Sequence, residues 1–336
     1  MPRSIEEFVA AWDALSGECG QEGGWLGIVV TSVGACELMA ARRFPGNEEA
    51  LLARFPTARL GAAERLPEGR GFEVVRADPH RDGKTWIALS RKESGSPELF
   101  SEMVGDVVGA MDASVGEGEA AVQRTMLRRV RMWQQFMSRG ATPLSPEAEL
   151  GLVGELTIMA ILMDSGVSTE EVLRGWVGPD DALQDFLLGD GALEVKATMS
   201  SSGFPVKITS LEQLDDSVAS PLFLAAVRFA CEEGGLTLPE MIGEVEKRLG
   251  EEPGAVNYLR DKLIVAGYAE TQSRHYTRRF ESKEIRILSV SEGFPRLTPG
   301  TVPVGVMRAL YEINLDHVGD YLMDLDTALN LLGVNG

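Results

Sequence analysis

Two apolar runs, Phe186-Leu187-Leu188 and Ala192-Leu193-Glu194-Val195-Lys196-Ala197, flank Gly189-Asp190, and this segment narrows most what the chain can fold into. A two-residue Gly-containing loop between such runs closes a β-hairpin. If Leu188 pairs with Gly191, the same register sets Asp185 opposite Glu194. Side chains alternate faces along a strand, so Asp185, Glu194 and Lys196 share one face, while Phe186, Leu188, Leu193, Val195 and Ala197 share the other and point into a core. Carboxylates opposed at roughly 5 Å between β-carbons repel each other unless a cation sits between them. Oxygen-only ligation favours a hard divalent ion such as Mg²⁺, with Mn²⁺ as its substitute. Lys196 is then placed to touch whatever the ion holds. The plain alternative for the same residues is a surface hairpin with a Glu–Lys salt bridge.

The surroundings of this hairpin read as α+β. Before it, Ser145-Pro146 opens a helix over residues 147–163, with a serine suited to the cap and a proline to the first helical position. Glu155 is the only charge between Leu150 and Met163 on this helix. After the hairpin come a short strand, a short helix and a buried strand over 222–229, and the last hundred residues alternate helices (240–249, 255–266) with strands. Towards the N-terminus, the patterning predicts a helix over 4–15, strands over 25–33 and 37–44, a hairpin of 71–76 with 85–90 turning at 78–83, and a helix over 98–111. Residues 114–119 read as a linker. Residues 120–139 form a strong helix whose apolar stripe is Met126, Val130, Trp133 and Met137. The organisation expected is an N-terminal α+β domain over 1–115, a core with its leading helices over 120–235 and a helix–strand extension over 236–336.

Charge restricts function. The 336 residues hold 32 Lys and Arg against 51 Asp and Glu, a net charge of −19, so a uniformly basic nucleic-acid coat is excluded and any phosphate-binding surface is local. Two places qualify. Arg124, Arg128 and Arg131 lie opposite the apolar stripe of the 120–139 helix, where they are either a solvated face or a phosphate-contacting one. Residues 271–296 hold Arg274, Arg278, Arg279, Lys283, Arg286 and Arg296 against Glu281, Glu284 and Glu292. Three cysteines and three histidines, scattered without CxxC or HExxH spacing, exclude zinc-finger and zincin sites. The N-terminus lacks a signal-peptide pattern and the apolar runs are too short for a membrane helix, so the expectation is a cytoplasmic protein without membrane contact.

Asp185 with Glu194-x-Lys196 on a hairpin resembles the PD-(D/E)XK nuclease superfamily, which includes restriction endonucleases and repair nucleases. The motifs Gly151-Leu-Val-Gly-Glu155-Leu, Trp176-Val-Gly-Pro179, Asp185-Phe186, Glu194-Val-Lys-Ala-Thr198, Ile208-Thr-Ser-Leu-Glu-Gln213-Leu, Gly293-Phe-Pro-Arg-Leu297 and Tyr311-Glu-Ile313 follow in order. This succession is similar to the PD-(D/E)XK-motif proteins of bacterial anti-phage and restriction gene clusters, from about residue 133 to 311 and more thinly before it. The resemblance implies a restriction-endonuclease-like core of helix, three-stranded sheet, helix and strand. It implies that Asp185 and Glu194 bind Mg²⁺ with Glu155 facing the metal, that Lys196 activates water and offsets transition-state charge, and that Gln213, on the helix after the strand, touches the metal's water or a phosphate. A literal Pro179-Asp180 also precedes Glu194, but the hairpin register prefers Asp185, which lacks the proline. The implied function is metal-dependent hydrolysis of DNA in a restriction or anti-phage system, with DNA, other subunits of that system and a second copy as partners. The alternative is a non-catalytic scaffold that keeps the nuclease fold and binds DNA or partner proteins.

Overall fold

A computed structural model describes residues 5–17, 23–61, 64–80, 86–138, 142–180, 182–250 and 253–334. The chain divides into two compact units, Met1–Thr142 and Pro143–Gly336.

In the first unit, α1 (Ile5–Leu15) precedes β1 (Gly24–Val33), β2 (Cys36–Phe44), β3 (Glu48–Arg54), β4 (Phe72–Ala77) and β5 (Trp86–Arg91), which form one antiparallel sheet in the order β1-β2-β3-β5-β4. The turn expected between β4 and β5 lies partly outside the described residues, as does Cys19. Two helices follow, α2 (Pro97–Ala113) and α3 (Glu119–Ser138). The expected linker at 114–119 is instead a tight 3₁₀ turn, Val115–Glu117, that folds α3 back against α2. The reason is tertiary. Arg129 on α3 is buried and grips Asp106 on α2 with two bonds of 2.5 Å, and the Trp133 indole N–H donates to the same carboxylate at 2.7 Å. α3 therefore belongs to the first unit and does not lead the core, which corrects the boundary expected near residue 120.

The second unit opens with α4 (Pro146–Asp164). Ser145 caps it by accepting the Ala148 N–H at 3.2 Å, with Pro146 in the first turn. Then come α5 (Thr169–Gly175), β6 (Phe186–Leu188), β7 (Gly191–Thr198), β8 (Pro205–Ile208), β9 (Leu222–Ala230), α6 (Leu238–Leu249), α7 (Pro253–Ala266), β10 (Glu281–Ser289), β11 (Tyr311–Asn314), β12 (Leu322–Met323) and α8 (Leu325–Leu332). A mixed sheet runs β12-β10-β9-β7-β6, with β7 and β9 parallel and the other pairs antiparallel. β9 is covered on both faces, so Leu-Phe-Leu-Ala-Ala-Val reads as a continuous apolar run. Phe223, Ala225 and Val227 pack towards Leu156, Met159 and Leu193. Leu222, Leu224 and Ala226 pack with Ala192, Val206, Ile208 and Ile313. The β8–β11 ribbon thus lies on the face of the sheet that carries the even-numbered residues of β7.

Two features differ from expectation. Residues 209–221 between β8 and β9 are turns rather than a helix: Asp215-Asp216-Ser217 breaks the apolar periodicity, and Gln213 Oε1 accepts the Thr209 N–H at 2.9 Å, closing the chain on itself. The residues after 236 are no separate extension, because β10 pairs with β9 along its length and α6 packs on α4. Among the described residues no helix is long and apolar enough to cross a membrane.

Candidate active site

The hairpin register is Phe186↔Leu193, Leu187↔Ala192, Leu188↔Gly191, and its next step sets Asp185 against Glu194. The turn is fixed from outside. Gly189 takes φ +52°, which a side chain disfavours, and Asp190 donates its N–H to the carbonyl of Leu332 at the end of α8 at 2.9 Å. The turn could not slip without losing that clasp.

Four charged side chains gather near the open end of this hairpin. Glu194 is buried, with 1 % of its side chain exposed, while Asp185, Lys196 and Glu155 are half-buried. The Lys196 ammonium donates to Glu194 Oε1 at 2.5 Å. Asp185 turns one oxygen, Oδ2, to the N–H of Val195 at 2.7 Å. Glu155 arrives from α4, and the buried Trp176 indole N–H donates to its Oε2 at 2.7 Å. Two glycines let these groups meet. A β-carbon on Gly154 would lie 2.9 Å from that of Ala197 on β7, so the helix touches the strand only because that carbon is absent. A β-carbon on Gly178 would lie 2.8 Å from Asp185 Oδ1 and 3.2 Å from Glu155 Oε2, so both carboxylates converge on one patch of bare backbone. Gly154→Val should cost about 1–3 kcal/mol by overpacking and push Glu155 away from Asp185, to be read as a lower melting temperature.

Electrostatics couples the four. Desolvation, then repulsion from Asp185, pushes Glu155 up to about 8, against the Trp176 bond and the Lys196 charge. Desolvation and the Asp185 charge likewise push Glu194 up to about 8, although Lys196 pulls it down. Asp185 is also raised, by desolvation, against the pull of Lys196 and the Val195 N–H. Desolvation alone would lower Lys196, but Glu194, Asp185 and Glu155 together hold it above its ordinary value. Three carboxylates thus compete for one ammonium. Their all-oxygen donor set suits a hard divalent cation, whose binding would displace the protons that the raised carboxyls otherwise keep. Among the described residues no three His, Cys, Asp or Glu side chains form a ready-made metal cage. The groups expected as ligands are neighbours, each with one oxygen held by a protein donor, and a cation on Glu194 would compete with Lys196.

Asp180, passed over for Asp185, and the other expected site residues lie elsewhere. Asp180 is engaged by the Lys262 ammonium, which also donates to the Trp176 carbonyl at 2.9 Å, and so braces the 176–180 turn from outside. Gln213 sits in its turn with Thr209. The second basic island is largely neutralised. Arg278 binds Glu149 at 2.6 Å, Arg279 binds Glu240 at 2.9 Å, Lys283 binds Glu232 at 2.8 Å, Arg286 binds Asp316 at 2.9 Å and Arg296 binds Asp216 at 2.9 Å. Arg274 is exposed. A count along the sequence missed this because the compensating acids come from distant segments. In the first unit, Arg124, Arg128 and Arg131 are exposed and line one cleft of about 610 Å³, where Arg131 reaches Glu64 at 3.6 Å. In the sequence Trp176 stood only as part of the Trp176-Val-Gly-Pro179 motif. The signal that it does more was its indole N–H, which needs an acceptor wherever the ring is buried.

No curated protein and no solved structure matches the chain. One family model, described as "Putative PD-(D/E)XK family member, (DUF4420)", matches residues 8–316. With its hairpin, its Asp185, Glu194 and Lys196, and a match over most of its 336 residues, the chain belongs to this PD-(D/E)XK family.

Proposed function

We propose that the chain hydrolyses DNA phosphodiester bonds with Mg²⁺ or Mn²⁺, as part of a bacterial restriction or anti-phage system. The observation that carries this reading is the clustering of Asp185, Glu194 and Glu155 around the single ammonium of Lys196 at the open end of one hairpin. The PD-(D/E)XK superfamily consists largely of nucleases, which agrees with it. Asp185 and Glu194 would hold the cation, with Glu155 beside them. When bound, the ion supplies Lewis-acid polarisation and a more acidic water.

The protein's own groups do the rest. The Val195 and Trp176 N–H groups fix how Asp185 and Glu155 point. The low-dielectric surroundings strengthen every charge there. Lys196, on the same strand face as Glu194, is placed to orient the attacking water and to offset negative charge that grows on the phosphoryl oxygens. The exposed arginines of α3 supply a local positive stripe in an acidic chain. Reversing Arg124 and Arg128 to glutamate should weaken DNA binding and reduce its salt slope by about one for each phosphate no longer neutralised, checked by anisotropy titrations across a salt series. Equal slopes would remove α3 from the interface.

Cleavage of supercoiled plasmid by the full chain, with Mg²⁺, with Mn²⁺ and with chelator, tests the reading. Metal-dependent cleavage that Asp185→Asn abolishes is the expected result. Mg²⁺ at a hundredfold excess over its Kd should also stabilise the fold by about 2.7 kcal/mol, seen as a higher melting temperature that Glu194→Gln removes. A scaffold role is the second reading, favoured by the net charge of −19 and by the ion pair of Lys196 with Glu194, which occupies an oxygen that a cation would use. DNA or partner binding without cleavage under every metal condition would select it.

A further inference from the structure

Residues 293–311 hold no Asp or Glu, in a chain with 51 of them, and carry two arginines, Arg296 and Arg308. This segment leads into β11, and its base is tied where the Leu297 N–H donates to the Tyr311 hydroxyl at 3.0 Å. The loop above that tie is ordered by its own bonds. The Thr298 carbonyl accepts the N–H groups of Thr301 at 3.0 Å and Val302 at 3.2 Å, and the Thr298 N–H donates to Thr301 Oγ1 at 2.8 Å. At the tip, the Val306 N–H donates to the Pro303 carbonyl at 3.1 Å, and Gly305 takes φ +99° at the third position, the pattern of a type II turn.

This turn presents apolar side chains to solvent. Val304 is fully exposed, Met307 is 91 % exposed and Leu310 is 63 % exposed. Isolated exposed aliphatics are ordinary, but a grouped set on a hydrogen-bonded projection marks a contact surface.

Its position says which contact. Side chains of β7 alternate, so Glu194 and Lys196 point to the face that Ala192 shares with the β8–β11 ribbon. Tyr311, at the loop's base, packs against that same cluster. Burial raises its phenol, while the Leu297 N–H and the charges of Arg296 and Lys196 pull it down, so the ammonium lies within electrostatic reach. A groove of about 580 Å³ runs along Arg296, Leu297, Tyr311 and Ile313. The loop that rises from this base is the longest stretch of the second unit without an acidic residue, so a polyanion meets no carboxylate on it. Apolar side chains pushed between base pairs unstack them and kink the duplex by roughly 20–90°.

Resting on the nuclease reading, we propose that Val304 and Met307 form a wedge that enters duplex DNA between base pairs beside the scissile phosphate, with Arg308 against the neighbouring backbone. The substrate is then a duplex that can be bent, and easily unstacked pyrimidine–purine steps are cleaved preferentially.

The test uses the full-length, cleavage-silent Asp185→Asn chain and duplexes carrying 2-aminopurine at successive positions. A severalfold fluorescence rise at one step is expected on binding. Val304→Ser with Met307→Ser should remove the rise, while Leu331→Ser, at an exposed leucine on α8, should leave it intact. DNA bound with flat fluorescence at every position would overturn the wedge, whether or not the wild-type chain cleaves plasmid. A rise without wild-type cleavage would keep the wedge and refute the catalytic reading instead. Flat fluorescence together with a dimer that the double variant dissociates would assign the tip to a second copy and also overturn the proposal.

Discussion

Lys196→Met should silence plasmid cleavage by roughly 10²–10³-fold or more, the cost typical of removing one preorganised group from a developing negative charge. The fold should survive. Glu194, already pushed up to about 8 by burial and by Asp185, takes a proton when its ammonium partner is gone, so no unpaired charge is stranded in the sheet. Methionine keeps the aliphatic length, and DNA affinity should change little, because a transition-state contact acts on rate rather than on ground-state binding. The opposing view treats Lys196 and Glu194 as a structural ion pair with no part in the chemistry, in which case the variant cleaves like wild type. Cleavage rates and melting curves on the same samples decide between them. Wild-type activity in Lys196→Met would sink the assignment of this site.

Asp185→Asn and Glu194→Gln should each abolish cleavage, and Asp185→Asn should yet leave the metal-free protein more stable. It removes one member of a mutually repelling set and leaves the ion pair of Lys196 with Glu194 in place. In Asp185→Asn the new amide oxygen could still accept the Val195 N–H, as the carboxylate does at 2.7 Å. Relief of like-charge repulsion on the order of 1 kcal/mol corresponds to a rise of roughly 2–4 °C for a unit of this size. Such opposition between stability and activity is typical of a site held for function. A structural role predicts the reverse, a lower melting temperature for every substitution. Melting in chelator and again in Mg²⁺ separates the two, because Asp185→Asn should gain stability only in chelator.

The parts of this site that could be read from the chain were those set by short sequence spacing. Gly189-Asp190 and the alternation around it fix the pairing of Asp185 with Glu194, and Ser145-Pro146 fixes where α4 begins, because turns and caps depend on residues two to four positions apart. Glu155 stood out as a lone charge on an apolar helix. Its neighbours did not: that Trp176 donates to it, that Gly154 and Gly178 make room for it, and that Lys262 braces the turn beside it depend on segments brought together from up to 86 residues away.

The same physics explains the corrections. Arg278 and Arg279 looked like free cations because the sequence near them is basic, whereas Glu149 and Glu240 reach them from other helices. α3 looked like the leader of the nuclease core until Asp106 of α2 took its buried Arg129. Gln213 was placed on a helix that a hydrogen bond to Thr209 replaces with a turn. The sequence by itself determined the hairpin, its register, the cap of α4 and the family motif, all products of local backbone chemistry. Tertiary structure alone decided which charges are spent on each other and which remain to act, because ion pairs and burial depend on contacts between segments that local spacing does not encode.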